Sequence, residues 1–274
     1  MNGGLVEPVK GCVVCVTYTN FDTPISAILT GPMRIVVIIP ALDEEKSLPK
    51  VLAEIPADLI AEVFVVDNGS RDRTADVARE AGASVLHEPR AGYGQACLTG
   101  IAALAQSPPD VVVFVDGDYS DRPSEMRELV KPILDDEADF VIGSRVLGTR
   151  EPGALAPHAR WGNWLATWMI RVLYDYHFTD MGPFRAIRYE TLMALAMKDR
   201  DYGWTAEMQA KAARAGVRAT EVPVSYHRRI GKSKITGTVK GTVLAGWKII
   251  STILKYRFFD SAPATPTESK APLG

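Results

Sequence analysis

Residues Val111-Val-Val-Phe-Val-Asp-Gly-Asp118 decide the fold. Five consecutive apolar residues, four of them β-branched valines, read as a strand buried on both faces. Two carboxylates, Asp116 and Asp118, follow one residue apart at its C-terminal end. In an open α/β sheet, ligands bind at that end. Asp-x-Asp at a strand tip can hold a hard divalent cation, and the cation can hold a diphosphate. The plain reading of the same residues is a solvated turn.

Working outward, the same strand-then-helix alternation recurs. Arg34–Ile39 opens as a strand and leads to a helix near 45–55. Glu62–Val66 is a second strand, ending in Asp67-Asn-Gly-Ser70, before a helix near 73–81. A short strand near Ser84–His87 precedes Arg90-Ala-Gly-Tyr-Gly94 and a helix near 95–105. After 111–115 come a helix near 123–134 and a strand at Phe140–Gly143. Alternation of this kind implies right-handed crossovers and a mostly parallel sheet flanked by helices, the Rossmann-like α/β class.

Beyond Arg145 the texture changes. Residues 147–158 read as a loop. Residues 161–176 are helical, with Trp161, Trp164, Trp168, Val172 and Tyr176 on one face. We expect that stripe to be core; the alternative is an acceptor or membrane groove. A helix at 205–215 and a short strand at Val222–Val224 follow. The last helix, about 238–258, aligns Val239, Val243, Trp247, Ile250, Leu254 and Phe258, flanked by Lys240, Lys248, Lys255 and Arg257. It suits either a bilayer interface or ordinary packing on the domain.

The composition sets limits. The chain of 274 residues is 47% hydrophobic with net charge −2, which fits one large globular core. Arg200–Asp260 carries 12 Lys/Arg against 4 Asp/Glu, a basic block suited to phosphates or an anionic membrane surface, or a solvated face. Three cysteines cannot build a disulfide framework, and Cys12-x-x-Cys15 has no second pair to make a zinc site. A reducing cytoplasm is expected. No run reaches the ~18 apolar residues of a membrane span, and no signal peptide is read. Residues 1–32 are expected to be an extension, disordered or foreign to the native protein. Residues 33–236 are expected to be the catalytic domain, 237–260 the amphipathic helix and 261–274 a disordered tail.

Several residues invite chemistry on their own. Asp67 at a strand tip can accept from a ribose or a base, although Asx-Gly is also ordinary turn chemistry. The Arg90, Gly92, Gly94 loop opens a helix whose N–H groups can meet phosphate. His227-Arg-Arg-Ile-Gly-Lys-Ser-Lys234 clusters cations around a hydroxyl, as diphosphate or lipid-phosphate binding requires.

Seven segments in order carry a family resemblance: IVVIIPALDEE, VFVVDNGSRDRT, EPRAGYGQA, VVVFVDGDYSDRPSE, VIGSR, TDMGPFRAIR and EVPVSYHRRIGKSKI. Together, over residues 33–236, they resemble the GT-A-fold family 2 glycosyltransferases, and within them the dolichyl- or polyprenyl-phosphate sugar synthases. The resemblance implies inverting hexose transfer from a nucleoside-diphosphate sugar, GDP-mannose or UDP-glucose, to a polyprenyl phosphate. It implies Mg²⁺ or Mn²⁺ on Asp116 and Asp118. Pro40, Ala41, Glu44, Asp67, Arg90 and Gly117 would then serve the nucleotide sugar. Arg145 would face the donor diphosphate or acceptor phosphate, with Asp180 and Arg185 on the acceptor side. Arg229, Ser233 and Lys234 would close over the phosphates.

Some positions depart from the pattern. Ser120 stands where many of these synthases have a third metal ligand, with Asp121 next. Leu42 and Asp43 replace an aromatic and an Asn, and DMGPFR replaces an SGFR-type sequence. The C-terminal membrane spans of some relatives have no counterpart. A lipid phosphate is already ionised near neutral pH and needs no strong base; a sugar hydroxyl would need one, and Asp180 or Glu207 could supply it. The implied place is the cytoplasm, peripheral on the inner face of the membrane, with no nucleic-acid partner. Two alternatives are a soluble transferase with a small acceptor such as a phosphoglycerate, and a non-catalytic nucleotide-sugar-binding protein.

Overall fold

The computed structural model describes residues 33–231 and 239–259, with the side chains of 239–242 left aside. The expected extension at 1–32, the tail at 261–274, the Cys12/Cys15 pair, Ser233 and Lys234 lie outside the described residues.

Seven strands form one sheet: β1 (Ile35–Ala41), β2 (Glu62–Asp67), β3 (Ser84–His87), β4 (Val111–Phe114), β5 (Phe140–Ser144), β6 (Arg185–Arg188) and β7 (Ala219–Pro223). Their order is β3-β2-β1-β4-β6-β5-β7. All pairings are parallel except those of β6, which runs antiparallel between β4 and β5. The helices are α1 (Leu48–Glu54), α2 (Thr74–Glu80), α3 (Tyr93–Ala103), α4 (Met126–Leu134), α5 (Pro157–Tyr174), α6 (Tyr189–Leu195), α7 (Trp204–Ala215) and α8 (Val239–Phe258). The mostly parallel α/β architecture expected from the sequence is the one found. β6 and α6 were not expected. β6 is four residues, Arg-Ala-Ile-Arg, held by a neighbour on each edge rather than by any alternating pattern of its own.

Alternate residues of the strands feed two cores. Val36, Ile38, Val112 and Phe114 face α3, α5, α7 and α8, where Cys97, Ile170, Trp204 and Ile253 meet them. Val37, Ile39, Val111 and Val113 face α1, α2 and α4, through Leu48, Ala78 and Leu129. Each aliphatic side chain buried this way contributes about 1.5–3 kcal/mol. Paired on both edges and packed on both faces, β4 is a rigid mount for whatever stands at its tip. The chain moves outward from β1 to β2 and β3, then returns to lay β4 on the other side of β1. The crevice of an open α/β sheet opens at such a reversal.

The tryptophan stripe is not core. Trp161, Trp164, Trp168 and Val172 are 49–62% exposed, while Ala166, Thr167 and Ile170 are the residues of α5 that are buried. The 3.6-residue period holds, but the opposite face is the buried one, because the small residues of α5 allow the closer approach to α7 and α8. On α8 likewise, Val243, Trp247 and Phe258 are exposed, and Ala245, Thr252, Ile253 and Tyr256 are buried. The two helices are tied by Tyr174 Oη donating to the Ile253 carbonyl at 2.6 Å and Arg257 Nε donating to the Leu173 carbonyl at 2.7 Å. Among the described residues, no helix is long and apolar enough to cross a membrane.

Candidate active site

At the tips of β1 and β4 lies a cavity of about 410 Å³. Pro40, Ala41 and Glu44 form one wall, Asp116, Gly117 and Asp118 the floor, and Arg229 overhangs it. All seven are site residues expected from the sequence. Gly92 of the loop before α3 also lines it, as do Leu42, Asn68, Tyr93, Asp201 and Tyr202, which the sequence does not mark as site residues.

The floor is electrostatically tense. Asp116 accepts from Tyr93 Oη at 3.0 Å. Burial first, then the neighbouring Asp118 charge, push its carboxyl up to about 7, against the pull of Tyr93, Arg229 and Arg145. Asp118 Oδ1 accepts from the backbone N–H of Ser120 at 2.9 Å and from Ser120 Oγ at 2.6 Å. Its Oδ2 pairs with Arg229 at 3.0 Å. Ser120 therefore orients Asp118. Directly after it the chain turns at Tyr119, a non-glycine residue at φ 62°. Such a conformation costs about 1–3 kcal/mol and persists where the surroundings hold it. Here the Tyr119 ring lies under Arg122 at 4.6 Å, and its hydroxyl bonds Glu54.

Asp121 is 1% exposed, and neither carboxylate oxygen has a hydrogen-bond partner. Burial and then the Asp116 charge hold its carboxyl well above the usual range. The described residues contain no group of three or more His, Cys, Asp or Glu placed to share a metal. The donor set is thus two strand-tip carboxylates that repel each other. That fits Mg²⁺ or Mn²⁺, which are commonly held by one or two carboxylates, with water and substrate phosphate completing the shell.

The loop before α3 approaches the cavity through its backbone. Gly92 sits at φ 147°, and a Cβ there would strike the Arg200 carbonyl oxygen; one on Gly94 would strike that of Asp199. Asn68 braces the loop, its Nδ2 donating to the carbonyls of Glu88 and Arg90 and its Oδ1 accepting from Gly92 N–H. Arg90 itself points away, 67% exposed, beside Glu88. Asp67 also stops short of the lining: it accepts from Ser70 N–H at 3.0 Å and pairs with His87 at 3.1 Å. Asn68, one residue on, reaches the cavity.

On the far side, Asp180 is fully buried and clamps Arg145. Arg145 Nε and Nη2 donate to its two oxygens at 2.8 and 2.7 Å, and backbone N–H groups of Arg145 and Met181 add two more bonds. Both Asp180 oxygens are thus engaged in holding Arg145. Arg145 lies over the Tyr226 ring at 4.9 Å, and its charge is felt at both Asp116 and Asp121. Arg185, expected at a phosphate, is fully buried and donates to the carbonyls of Gly182 and Thr205. Burial lowers its guanidinium to about 10. It pegs the loop before β6. Glu207, the other candidate base, is fully buried and receives two backbone N–H groups, Lys211 and Tyr256.

Next to Arg145, Val146 and Thr179 enter a second cavity of about 560 Å³. Trp161, Trp164 and Trp168 line it together with Arg150, Arg160 and Arg171. Trp164 and Trp168 stack at 6.4 Å.

Comparison with known proteins bears on the family and the fold. The glycosyl transferase family 2 model matches residues 36–195. An uncharacterized glycosyltransferase of Mycobacterium tuberculosis is 41% identical over 79% of this chain and 98% of its own length. The undecaprenyl-phosphate mannosyltransferase of Micrococcus luteus is 33% identical over 76% of this chain and 90% of its own. In fold, the chain is similar to the glucosyl-3-phosphoglycerate synthase of M. tuberculosis, solved with Mn²⁺ and UDP: TM-score 0.66, 22% identity, covering 82% of this chain and 80% of that one. The resemblance expected from the seven ordered segments holds at the level of the whole domain, and this chain belongs to glycosyl transferase family 2.

Proposed function

We propose that this glycosyltransferase moves a hexose from a nucleoside-diphosphate sugar to a polyprenyl phosphate with inversion at the anomeric carbon. The observation that carries the lipid acceptor is the second cavity: three exposed tryptophans with three arginines at its rim, opening beside Arg145. An amphiphile with an anionic head and an apolar tail fits that lining. The Micrococcus relative's name supports the same class.

In this reading the donor lies over Pro40, Ala41 and Gly117, its base or ribose against Glu44 and Asn68, its diphosphate toward Asp116, Asp118 and Arg229. Bound Mg²⁺ or Mn²⁺, held by Asp116 and Asp118, supplies positive charge against the departing diphosphate. Arg229 adds a guanidinium on the same side. An acceptor phosphate oxygen attacks the anomeric carbon, the bond from that carbon to the donor diphosphate breaks, and the nucleoside diphosphate leaves with the electron pair. Arg145, fixed by Asp180 and Tyr226, meets the acceptor phosphate. Ser233 and Lys234 are proposed to join Arg229 at the phosphates. No deprotonation is needed, which agrees with Asp180 and Glu207 both being engaged elsewhere. The exposed Trp stripe of α5 and Val243, Leu244 and Trp247 of α8, with Arg160 and Arg171 beside the stripe, are proposed to rest on the inner face of the membrane.

The fold neighbours named for glucosyl-3-phosphoglycerate make a small soluble acceptor the second reading. GDP-mannose and UDP-glucose, each assayed with Mn²⁺ against polyprenyl phosphate in detergent and against 3-phosphoglycerate, separate the two. We expect sugar label in the lipid extract, lost with EDTA. Label only in the phosphoglycerate product, or none in either, overturns the proposal.

A further inference from the structure

The segment Lys198–Gly203, between α6 and α7, touches two parts of the molecule at once. On one side it is a wall of the donor cavity, through Asp201 and Tyr202. The Arg200 carbonyl there accepts from Gln95 N–H at 2.9 Å, and Gly92 and Gly94 press against the segment so closely that neither tolerates a Cβ. Tyr93, which holds Asp116, stands between those two glycines.

On its other side the segment hangs from two buried carboxylates. Asp199 Oδ1 accepts from the N–H groups of Asp201 at 2.8 Å and Gly203 at 3.2 Å, and its Oδ2 pairs with Lys248 of α8 at 3.0 Å. Glu207 accepts from Lys198 N–H at 2.9 Å, Asp199 N–H at 2.6 Å and Tyr256 Oη of α8 at 2.5 Å. Neither Lys248 nor Tyr256 lines the donor cavity.

We propose that Lys248 and Tyr256 are positioning residues for donor binding: through Asp199 and Glu207 they hold Lys198–Gly203 against the Gly92-Tyr93-Gly94 turn and fix one wall of the donor cavity. The inference rests on the reading of that cavity as the donor site. The physical basis is charge-assisted bonding to buried acceptors. Without Lys248, the Asp199 carboxylate, 8% exposed, keeps its backbone donors and loses its counter-charge. The segment then samples other positions, and the nucleotide must reorder it on binding.

Calorimetric titration of GDP and UDP with Mn²⁺ into the full chain tests this, with steady-state kinetics in parallel. Lys248→Met is expected to raise the nucleotide Kd and the donor KM about tenfold, and Tyr256→Phe about threefold. Lys248→Arg restores both to within about twofold of wild type. Lys131→Met, which removes an exposed pair on α4, changes neither. The kcat at saturating donor and the acceptor KM move by less than about twofold. If the wild-type chain binds neither nucleotide, the donor-site reading fails. If it binds and Lys248→Met and Tyr256→Phe bind equally well, the positioning role fails while the donor site stands. A loss in kcat equal to that in donor affinity, unrepaired by Lys248→Arg, also overturns the positioning role.

Discussion

Asp118 and Asp180 are both carboxylates in or beside the site, and their surroundings give them opposite work. Asp118 borders the cavity, held by Ser120 on one oxygen and by a displaceable guanidinium on the other. We expect Asp118→Asn to cut metal-dependent transfer by about 10²–10³-fold, with a circular dichroism spectrum and melting temperature close to wild type. Near-normal turnover would remove Asp118 from the metal site. Asp180→Asn strands the buried Arg145 charge and is expected to cost about 3–5 kcal/mol of stability, read as the denaturation midpoint in urea. If Asp180 were instead a base, that variant would fold normally and lose the alkaline plateau of its pH–rate profile. Glu88 makes a separate pH prediction. It accepts from Thr99 Oγ1, Arg90 N–H and Gln95 Nε2, in that order of effect, and these lower its carboxyl to about 2. The folded state therefore binds that proton more weakly than the unfolded chain. The stability it lends is present above about 4.5 and drains away as pH falls toward 2. The melting-temperature gap between wild type and Glu88→Gln should shrink across that window; a constant gap would separate Glu88 ionisation from stability. Asp116 and Asp118 were legible in the sequence because a strand tip fixes where they must be. Asp180, Glu207 and Arg185 were not, because only the packed structure reveals that their hydrogen-bonding capacity is already used.

The lesson of the helices is different. A 3.6-residue period in α5 establishes that Trp161, Trp164, Trp168 and Val172 share a face, and says nothing about which way the face turns. The answer lies in Ala166 and Thr167, small enough to let α5 close on its neighbours, and in Asn163, which donates to the Thr179 carbonyl and accepts from Met181 N–H. Because the tryptophans are exposed, Trp164→Ala and Trp168→Ala should leave the melting temperature within about 2 °C of wild type. Sedimentation with anionic vesicles should fall about tenfold in the double variant, at a loss of buried apolar area rather than of charge. A core role would reverse the pattern, with several kcal/mol of stability lost and vesicle binding unchanged. β6 has no sequence signal for a related reason: a four-residue strand with an arginine at each end is specified by the edges of β4 and β5 that receive it.

At the scale of the molecule, the sheet supplies a rigid floor while the walls of the site are borrowed from segments far apart in sequence. Residues near 40, 68, 92, 117, 202 and 229 converge on one cavity, and α8 reaches it indirectly through Asp199 and Glu207. Alternation predicted the floor because strands and helices write periodicity into the sequence; the Lys198–Gly203 wall has no periodicity to read. This arrangement makes α8 an integral element of the domain rather than a detachable anchor. Ala245, Ile253 and Tyr256 are buried against α5 and α7, and burying side chains of the size of Ile253 and Tyr256 is worth about 1.5–3 kcal/mol each. Deleting Val239–Gly274 should therefore lower the melting temperature by about 10 °C or more, taking the shift expected from several kcal/mol in a domain of this size. Nucleotide affinity should fall further than the triple variant Val243→Ser, Leu244→Ser, Trp247→Ser, which strips the exposed apolar face and leaves Lys248, Ile253 and Tyr256 in place. That triple variant should lose vesicle binding while keeping its melting temperature and its Kd for GDP or UDP. If the deletion instead melts with the wild type and binds nucleotide equally well, α8 is an anchor only, and the donor cavity is complete without it.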